Sequence, residues 1–249
     1  LNGAQSVTLS NDGKYAYIAA QAGNSVSWFD RNESTGALTY GGVLKDGVDG
    51  VDGLNGASCV TLSAEGAHAY VTGYLDDSVS WFDRNATTGA LTYGGTFKQG
   101  PLLDGARSVE LSEDGSNAYV TSHSNGSVSW FDRNASTGAL TYGESLMNGV
   151  AGVGGLDGAE SVTVSADGNH AYVASFIDNT VNWFTRNPIT GALSYGPASD
   201  ANYTLTADDV GKVITVTASY VDGGTTAESV ASTGTATVST PPLNDSNFF

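Results

Sequence analysis

The chain has 249 residues, 14% of them charged, and its 33 glycines clearly exceed the roughly 7% share of ordinary proteins. The formal net charge of −17 repels phosphate backbones and anionic lipid headgroups, so no nucleic-acid partner is expected. No run of about eighteen apolar residues occurs, so no membrane insertion is expected. Cys59 is the single cysteine, which excludes an internal disulfide or a cysteine-built zinc site. The acidic, lysine-poor composition favours an extracellular or cell-surface location.

The chain opens with short strands separated by tight turns. Residues 6–9 alternate as a strand, Asp12-Gly13 follows as a turn, and residues 15–20 form the next strand. Glycine supplies the positive φ that a hairpin turn needs. Two further strands follow, one around Trp28 and one beyond the Thr35-Gly36 turn. The pattern predicts a four-stranded antiparallel unit.

This unit returns three more times. The segment Val26-Ser27-Trp28-Phe29-Asp30-Arg31-Asn32 recurs at residues 79–85 and 128–134, and loosely at residues 181–187. The four tryptophans are spaced 53, 49 and 53 residues apart, and so are the glycines of the opening motif. The tryptophans are Trp28, Trp81, Trp130 and Trp183, and the glycines are Gly3, Gly56, Gly105 and Gly158. A fixed period of this length is the mark of a repeat architecture.

Four antiparallel strands per unit predict an all-β fold, because neighbouring four-stranded sheets can cover each other's apolar faces. We predict a four-bladed β-propeller over residues 1–196, with repeats at 1–53, 54–102, 103–155 and 156–196. Four blades can close into a ring by packing the first on the last. The alternatives are a part of a longer precursor, or copies from several chains that stack together.

The units resemble a known family through the patterns Ser-Val-x-Leu-Ser-x-Asp-Gly-x-x-Ala-Tyr-Val and Thr-Gly-x-Leu. Both are similar to the lactonase-type (YVTN-like) propeller repeat, over residues 1 to about 196. The resemblance implies a propeller that commonly has seven blades and an activity on sugar lactones. No residue of this chain is assigned to that activity on the strength of the resemblance.

Recurring charged and aromatic residues are interpreted as structural. Arg31, Arg84, Arg133 and Arg186 follow an aspartate or threonine whose side chain points to the opposite strand face. We therefore expect the arginines to pair between blades or with turns. The units are nearly identical, whereas a catalytic propeller needs residues that break the repeat, so no catalytic residue is predicted.

The connector after the first unit is acidic. Asp46, Asp49 and Asp52 place a carboxylate at every third residue of a glycine-rich loop, and carboxylate oxygens are the ligands that Ca²⁺ prefers. The third unit has Asn148, Ala151 and Gly154 at the matching positions. The loop is therefore either a calcium site or a solvated acidic loop.

Three asparagines recur at one turn of the unit and match the glycan-acceptor pattern Asn-x-Ser/Thr. They are Asn32, Asn85 and Asn134. Asn187, at the same position, is followed by a proline that abolishes the pattern. Since asparagine also suits the start of a turn, both glycosylation and turn formation explain the recurrence.

The repeat stops after Tyr195. Residues 197–240 resemble the last strands of the Ig-like repeats of bacterial surface adhesins, through Tyr203-Thr204-Leu205-Thr206 followed by Asp209-Val210-Gly211-Lys212. Only about half of such a module is present, so it either packs on the propeller or takes a strand from another chain. Residues 241–249 form a tail that is either frayed or a docking segment. The expected assembly residues are Ile214, Val216, Ala218, Tyr220, Phe248 and Phe249.

These features predict an extracellular structural or adhesive protein that self-associates into a filament or surface assembly by strand complementation of the partial Ig-like unit. We expect it not to be an enzyme. The alternatives are a glycan- or ligand-binding propeller of a large adhesin and a lactonase-like hydrolase.

Overall fold

The computed structural model describes residues 1–195 together with residues 217–221 and 227–231. The chain divides into two compact units, Leu1–Asn202 and Tyr203–Phe249. The predicted all-β class is confirmed, with four separate four-stranded antiparallel sheets that form propeller blades. Within the described ranges, no helix has the length and apolar character to cross a membrane.

Each blade is an antiparallel meander in which sequential strands are neighbours. The first blade contains β1 (Ala4–Leu9), β2 (Tyr15–Ala20), β3 (Ser25–Arg31) and β4 (Leu38–Lys45). The second contains β5 (Ala57–Leu62), β6 (His68–Gly73), β7 (Ser78–Arg84) and β8 (Leu91–Lys98). A short helix, α1 (Gly100–Leu103), leads into the third.

The third blade contains β9 (Ala106–Leu111), β10 (Asn117–Ser122), β11 (Ser127–Arg133) and β12 (Leu140–Met147). The fourth contains β13 (Ala159–Val164), β14 (His170–Ser175), β15 (Thr180–Arg186) and β16 (Leu193–Tyr195). The turns are those that the sequence predicts. At the first hairpin Gly13 has a φ of 71°, which glycine adopts at little cost, and its N–H donates to Ser10 O at 2.8 Å.

Consecutive blades pack through their innermost strands, β1 on β5, β5 on β9 and β9 on β13. The apolar core lies between the blades. A leucine just before each of the last three blades inserts into the face of the preceding blade and is fully buried there. The inserted leucines are Leu54, Leu103 and Leu156. Each joins the same cluster as a valine of the preceding blade's third strand, namely Val26, Val79 and Val128 respectively.

A polar ladder runs alongside this core. The hydroxyl of Tyr119 in the third blade donates to Gly191 O of the fourth at 2.8 Å and accepts a hydrogen bond from Arg186 Nε of the fourth. Arg186 also donates to Gly168 O in its own blade. The same contacts join Tyr17 with Arg84 and Tyr70 with Arg133. The arginines thus pair between blades and with turns, as the sequence predicts.

The first and last blades do not pack against each other as neighbours do. Among the described residues, β1 and β13 lack the contact that joins consecutive inner strands. Val7 of β1 and Val181 of β15 are exposed, although their counterparts in the other blades are buried. Over the described part of the chain, the four blades therefore form an open arc with one free face at each end.

In the second unit, β17 (Thr217–Val221) and β18 (Ala227–Ala231) form an antiparallel pair in which Ser219 lies opposite Ser229. Ala218 and Tyr220 lie in β17, and their predicted assembly role stays a prediction. The other four predicted assembly residues lie outside the described residues. They are Ile214, Val216, Phe248 and Phe249.

Candidate functional site

Every blade carries a β-bulge at the start of its innermost strand. In the first blade the pairing with β2 passes from Ala4 to Ser6, so that Gln5 is the extra residue. The other three blades have the same irregularity. The extra residues there are Ser58, Arg107 and Glu160. Bulges re-aim a side chain and are frequent beside active sites.

The bulge residue is different in each of the four repeats. Each is preceded by alanine and followed two residues later by valine in all four units, yet the bulge residue itself is Gln, Ser, Arg or Glu. A second variable position, directly after the second strand of each blade, holds Gln21, Tyr74, His123 or Phe176. The sequence interpretation, which rested on the near-identity of the units, missed both positions. Aligning the units by column reveals them.

The bulge residues converge on one surface, which we call the axial groove. It is a cleft of about 220 Å³ lined by Gln5, Ser6, Ser58, Cys59, Arg107, Ser108 and Glu160. All seven residues belong to the inner strands β1, β5, β9 and β13. The groove therefore receives side chains from all four blades.

An ionic cluster lies at this groove. Arg107 Nε donates to Glu160 Oε2 at 2.7 Å, and His123 Nδ1 lies 3.0 Å from Glu160 Oε1 without hydrogen-bond geometry. The Arg107 guanidinium also lies 5.3 Å from the centre of the Tyr74 ring. The three side chains are all partly exposed, and Arg107 and Glu160 line the groove itself, whereas Nδ1 of His123 is buried behind Glu160.

The backbone beneath Arg107 is held by the neighbouring blade. Ser58 Oγ and Thr72 Oγ1 each donate to Arg107 O at 3.0 Å. The terminal nitrogens of Arg107 have no hydrogen-bond partner among the described residues. With Nε held by Glu160, the two terminal nitrogens of the planar guanidinium are left to donate hydrogen bonds to a carboxylate or a carbonyl oxygen.

Two other groups near the groove are less suited to chemistry. Burial raises the pKa of the Cys59 thiol, which keeps it protonated and weakly nucleophilic. Burial likewise raises the pKa of Glu110, a residue of β9 where the other units carry threonine. Glu110 lines a different cleft, beside Thr61 and Asn11.

Only two of the three aspartates of the predicted calcium loop have carboxylates that lie close together. Carboxylate oxygens of Asp46 and Asp52 lie within 4.8 Å of each other and of Asp76, a set that does not include Asp49. The Lys98 ammonium lies 3.2 Å from Asp52 and 2.7 Å from Asp76, and supplies positive charge there. Ca²⁺ binding stays a prediction.

The aspartate and asparagine at the start of the two long connectors share a structural role. Asp46 Oδ1 accepts the N–H of Leu54 at 3.0 Å, and Asn148 Oδ1 accepts that of Leu156 at 3.2 Å. Asn148 is neutral, so this contact does not require a carboxylate. Asp46 therefore has a reason to be present that is independent of any ion.

The recurring asparagines form turns. In each, the side-chain oxygen accepts the backbone N–H groups two and three residues later. The three predicted glycosylation sites, Asn32, Asn85 and Asn134, all form this turn. Asn187 makes the same two hydrogen bonds although it lacks the acceptor pattern. The turn thus accounts for the recurrence, and glycosylation of the three stays a prediction.

Comparison with known proteins places the chain in a family. The family model described as "Lactonase, 7-bladed beta-propeller" matches residues 2–153 and 98–205. The matches together cover well over half of the chain, which therefore belongs to this lactonase family of β-propellers. The resemblance noted from the repeat patterns is confirmed. A search among curated protein sequences gives no match.

Solved structures show the same fold. The periplasmic gluconolactonase of Pseudomonas aeruginosa aligns with a TM-score of 0.64 and 22% identity over 76% of this chain and 52% of that protein. A candidate 6-phosphogluconolactonase of Bacteroides uniformis aligns with a TM-score of 0.65 and 20% identity, over 77% and 52% respectively. The chain therefore spans about half the length of these proteins.

The family match corrects the functional prediction. A structural or adhesive role joined by strand complementation, and the absence of enzymatic activity, are both contradicted by membership of a lactonase family. The physical reason for the error lies in the axial groove. Four nearly identical blades still differ at the bulge and at the residue directly after the second strand, and these two positions together build an asymmetric cluster of side chains.

Proposed function

We propose that the chain is the site-bearing part of a lactonase-like hydrolase whose substrate, a sugar lactone, binds in the axial groove. The observation that carries the proposal is the cluster of Arg107, His123 and Glu160, built from residues that break the repeat. Membership of the lactonase family supports the reaction class.

Hydrolysis of a lactone adds water to the ring carbonyl and opens the ring C–O bond. Glu160 is the general base that takes a proton from the attacking water, a role suited to a carboxylate. The free terminal nitrogens of Arg107 donate to the carbonyl oxygen as it gains negative charge. The proton that Glu160 takes up passes to His123, whose Nδ1 lies 3.0 Å from Glu160 Oε1, and from His123 to the ring oxygen as the bond breaks, which gives a hydroxy acid.

The charge of the protein favours a neutral substrate. The net charge is −17, and Arg107 is the only basic residue among those that line the groove. A field of this sign slows the approach of a dianionic phosphate ester. We therefore expect gluconolactone to be preferred over its 6-phosphate.

The test is a pH-stat assay of both lactones, corrected for spontaneous hydrolysis. Glu160→Gln is expected to lower kcat/KM at least roughly a hundredfold, as for loss of a general base, while Arg107→Gln lowers it as well. The matched control is Glu144→Gln, because Glu144 is an exposed glutamate on β12. Hydrolysis by the chain that is unchanged in Glu160→Gln, or no hydrolysis of any lactone, would overturn the proposal.

We also propose that residues 197–240 form the Ig-like segment that their sequence resembles, and that the protein is extracellular or at the cell surface. The antiparallel pairing of β17 with β18 supports the first of these. Hydrogen exchange on the whole chain tests it: protection is expected in strands throughout residues 203–240, and protection confined to the β17–β18 pair would contradict it.

A further inference from the structure

Tyr74 contacts two members of the ionic cluster at the axial groove, and the proposed reaction gives it no role. It follows β6 in the second blade, whereas Arg107 and His123 belong to the third. The guanidinium carbon of Arg107 lies 5.3 Å from the centre of the Tyr74 ring, and the centre of the His123 ring lies 6.3 Å from it. The Tyr74 ring therefore joins two blades at the groove.

Both contacts have the geometry of attractive ones. A guanidinium within about 6 Å of an aromatic ring centre is attracted to the face of the ring, and the Arg107 distance falls in that range. The Tyr74 and His123 rings are tilted by 53° to each other, at a separation within the roughly 4.5–7 Å that aromatic pairs prefer. Arg107 and His123 thus each pack against the same ring.

The backbone that carries Tyr74 is held on two sides. The N–H of Tyr74 donates to Gly56 O in its own blade at 3.0 Å. Three residues later, Asp77 Oδ1 accepts the N–H of Gly105, at the start of the third blade, at 2.9 Å. The turn is therefore tied to both blades, so the ring has a fixed base.

Gly105 allows the Tyr74 ring to come close to the third blade. A Cβ on this glycine would lie only 3.1 Å from Tyr74 Cε2. Gly105 also has a φ of 69°, which an L residue with a side chain rarely adopts. The ring thus packs on the backbone two residues before Arg107, where a larger residue would push it away.

The second blade restrains Arg107 at two places. Ser58 Oγ and Thr72 Oγ1 donate to its carbonyl oxygen, and Tyr74 lies against its guanidinium. The fourth blade adds the hydrogen bond from Nε to Glu160. A single hydrogen bond at Nε fixes one point of the guanidinium and leaves the rest free to turn. The contact with the ring supplies a second point, so the two together define where the terminal nitrogens lie.

The next junction uses the same two positions. Tyr74 and His123 each directly follow the second strand of their blade, and each contacts the bulge residue of the following blade. Those bulge residues are Arg107 and Glu160 respectively. The groups match chemically, since an aromatic face meets a cation and an imidazole meets a carboxylate. The aromatic residue at position 74 is therefore explained by the arginine that it faces.

We propose that Tyr74 is a positioning residue of the axial groove, which holds the Arg107 guanidinium so that its terminal nitrogens can donate to a substrate, and which keeps His123 beside Glu160. The catalytic consequence rests on the proposed function, whereas the restraint on Arg107 is measurable without a substrate. The Tyr74 hydroxyl has no hydrogen-bond partner among the described residues, so the ring and not the hydroxyl carries this role.

The first measurement is gluconolactone hydrolysis by variants of the whole chain. Tyr74→Ala and Tyr74→Leu are each expected to lower kcat roughly ten- to a hundredfold with little change in KM, as for a group misplaced by about 1 Å. Leucine keeps the apolar bulk, so its loss of activity reports the ring face rather than packing. Tyr74→Phe keeps the ring and is expected to retain the wild-type rate.

The same turn supplies a matched control. Leu75 directly follows Tyr74, is 62% exposed and lies over Gly56 of its own blade rather than against Arg107. Leu75→Ala is therefore expected to hydrolyse the lactone at the wild-type rate. Circular dichroism checks that each variant keeps its fold.

The second measurement is the exchange of the Arg107 Nε–H with water, followed by ¹⁵N NMR. The chain has only five arginines, and Arg107→Gln identifies the signal by its loss. Removing a cation–π contact is expected to speed this exchange roughly two- to thirtyfold in Tyr74→Ala and Tyr74→Leu. No change is expected in Tyr74→Phe or Leu75→Ala.

The two measurements distinguish the role of Tyr74 from the proposed function. If the wild-type chain hydrolyses no lactone, the proposed function is wrong and the exchange rates alone decide the role of Tyr74. Full activity or unchanged exchange in Tyr74→Leu overturns the inference, as does a loss of activity without faster exchange. A loss in Tyr74→Phe as large as in Tyr74→Ala overturns it as well, because the hydroxyl would then be the group that acts.

Discussion

Replacing Tyr119 with phenylalanine removes one hydroxyl group that the third and fourth blades share. That hydroxyl donates to Gly191 O at 2.8 Å and accepts a hydrogen bond from Arg186 Nε. Tyr119 and Arg186 are both buried. A neutral hydrogen bond contributes about 0.5–1.5 kcal/mol and one from a charged group about 1.5–3 kcal/mol, so the loss is about 2–4 kcal/mol. Arg186 keeps its contacts with Gly168 O and Asn117, which holds its side chain in place.

The chain supplies a matched control for this substitution. Tyr172 occupies the same position in the fourth blade but makes no such contacts. Tyr172→Phe should leave the free energy of unfolding unchanged within about 0.5 kcal/mol, the range of surface substitutions. Both variants are compared by urea unfolding at one protein concentration.

Thermal unfolding of the same two variants gives a second measurement. A loss of 2–4 kcal/mol corresponds to a fall in Tm of roughly 4–16 °C for a domain of this size, at about 2–4 °C per kcal/mol. Equal losses for Tyr119→Phe and Tyr172→Phe would refute the reasoning, because the two hydroxyls would then not differ in what they stabilise. So would a Tyr119→Phe chain as stable as its parent.

Three further predictions follow from buried and partly buried groups. Leu156→Ala should lower the free energy of unfolding by about 2–5 kcal/mol, because it empties a filled site between blades, while Leu1→Ala should cost almost nothing because Leu1 is 67% exposed; similar losses by urea unfolding would contradict this. Glu110→Gln should stabilise the chain at pH 7 and lose that advantage as the pH falls to 4. Burial raises the pKa of Glu110, so the ionised side chain destabilises the folded protein at pH 7, and this penalty disappears below the ordinary carboxyl pKa, where Glu110 is protonated. An equal gain from Glu110→Gln at both pH values would argue against this origin. Asp46→Asn should leave Tm nearly unchanged because Asn148 makes the same contact, whereas Asp46→Ala should cost about 1 kcal/mol, and a loss as large in Asp46→Asn would show that the charge matters.

The blades were predictable because their determinants are local. A glycine that must have positive φ, such as Gly13, marks a hairpin, and the alternating residues on either side mark its strands. These signals repeat with each unit, so the strand order within a blade follows from any one of them. The interblade role of Arg84 and its equivalents could also be inferred, since an arginine and the aspartate before it point to opposite faces of a strand.

The candidate site was harder to predict because the same repetition conceals it. Arg107, His123 and Glu160 are distant in sequence, and each stands in a unit that otherwise looks like its neighbours. A bulge at the same place in neighbouring blades brings Arg107 and Glu160 together, which is a feature of strand register rather than of residue type, and His123 joins them from the end of β10. The acidic loop around Asp46 was more conspicuous in sequence, although one of its aspartates serves the backbone of the connector.

The free faces could not be derived from one unit either. Whether the first blade meets the fourth depends on the angle that each junction adds, and no single repeat encodes the total. The sequence does show that these faces are apolar, since Leu1 and Val181 are the same residue types as their buried counterparts in the other blades.

The junctions also bear on how such a protein changes in length. Each junction requires only that the leading side of one blade meet the trailing side of the next, and both sides are carried by every unit. A duplicated or deleted unit that keeps the reading frame therefore finds partners that already fit. Blade number can change by whole units during evolution without any new interface, and the bulge residue is then free to diverge in each copy.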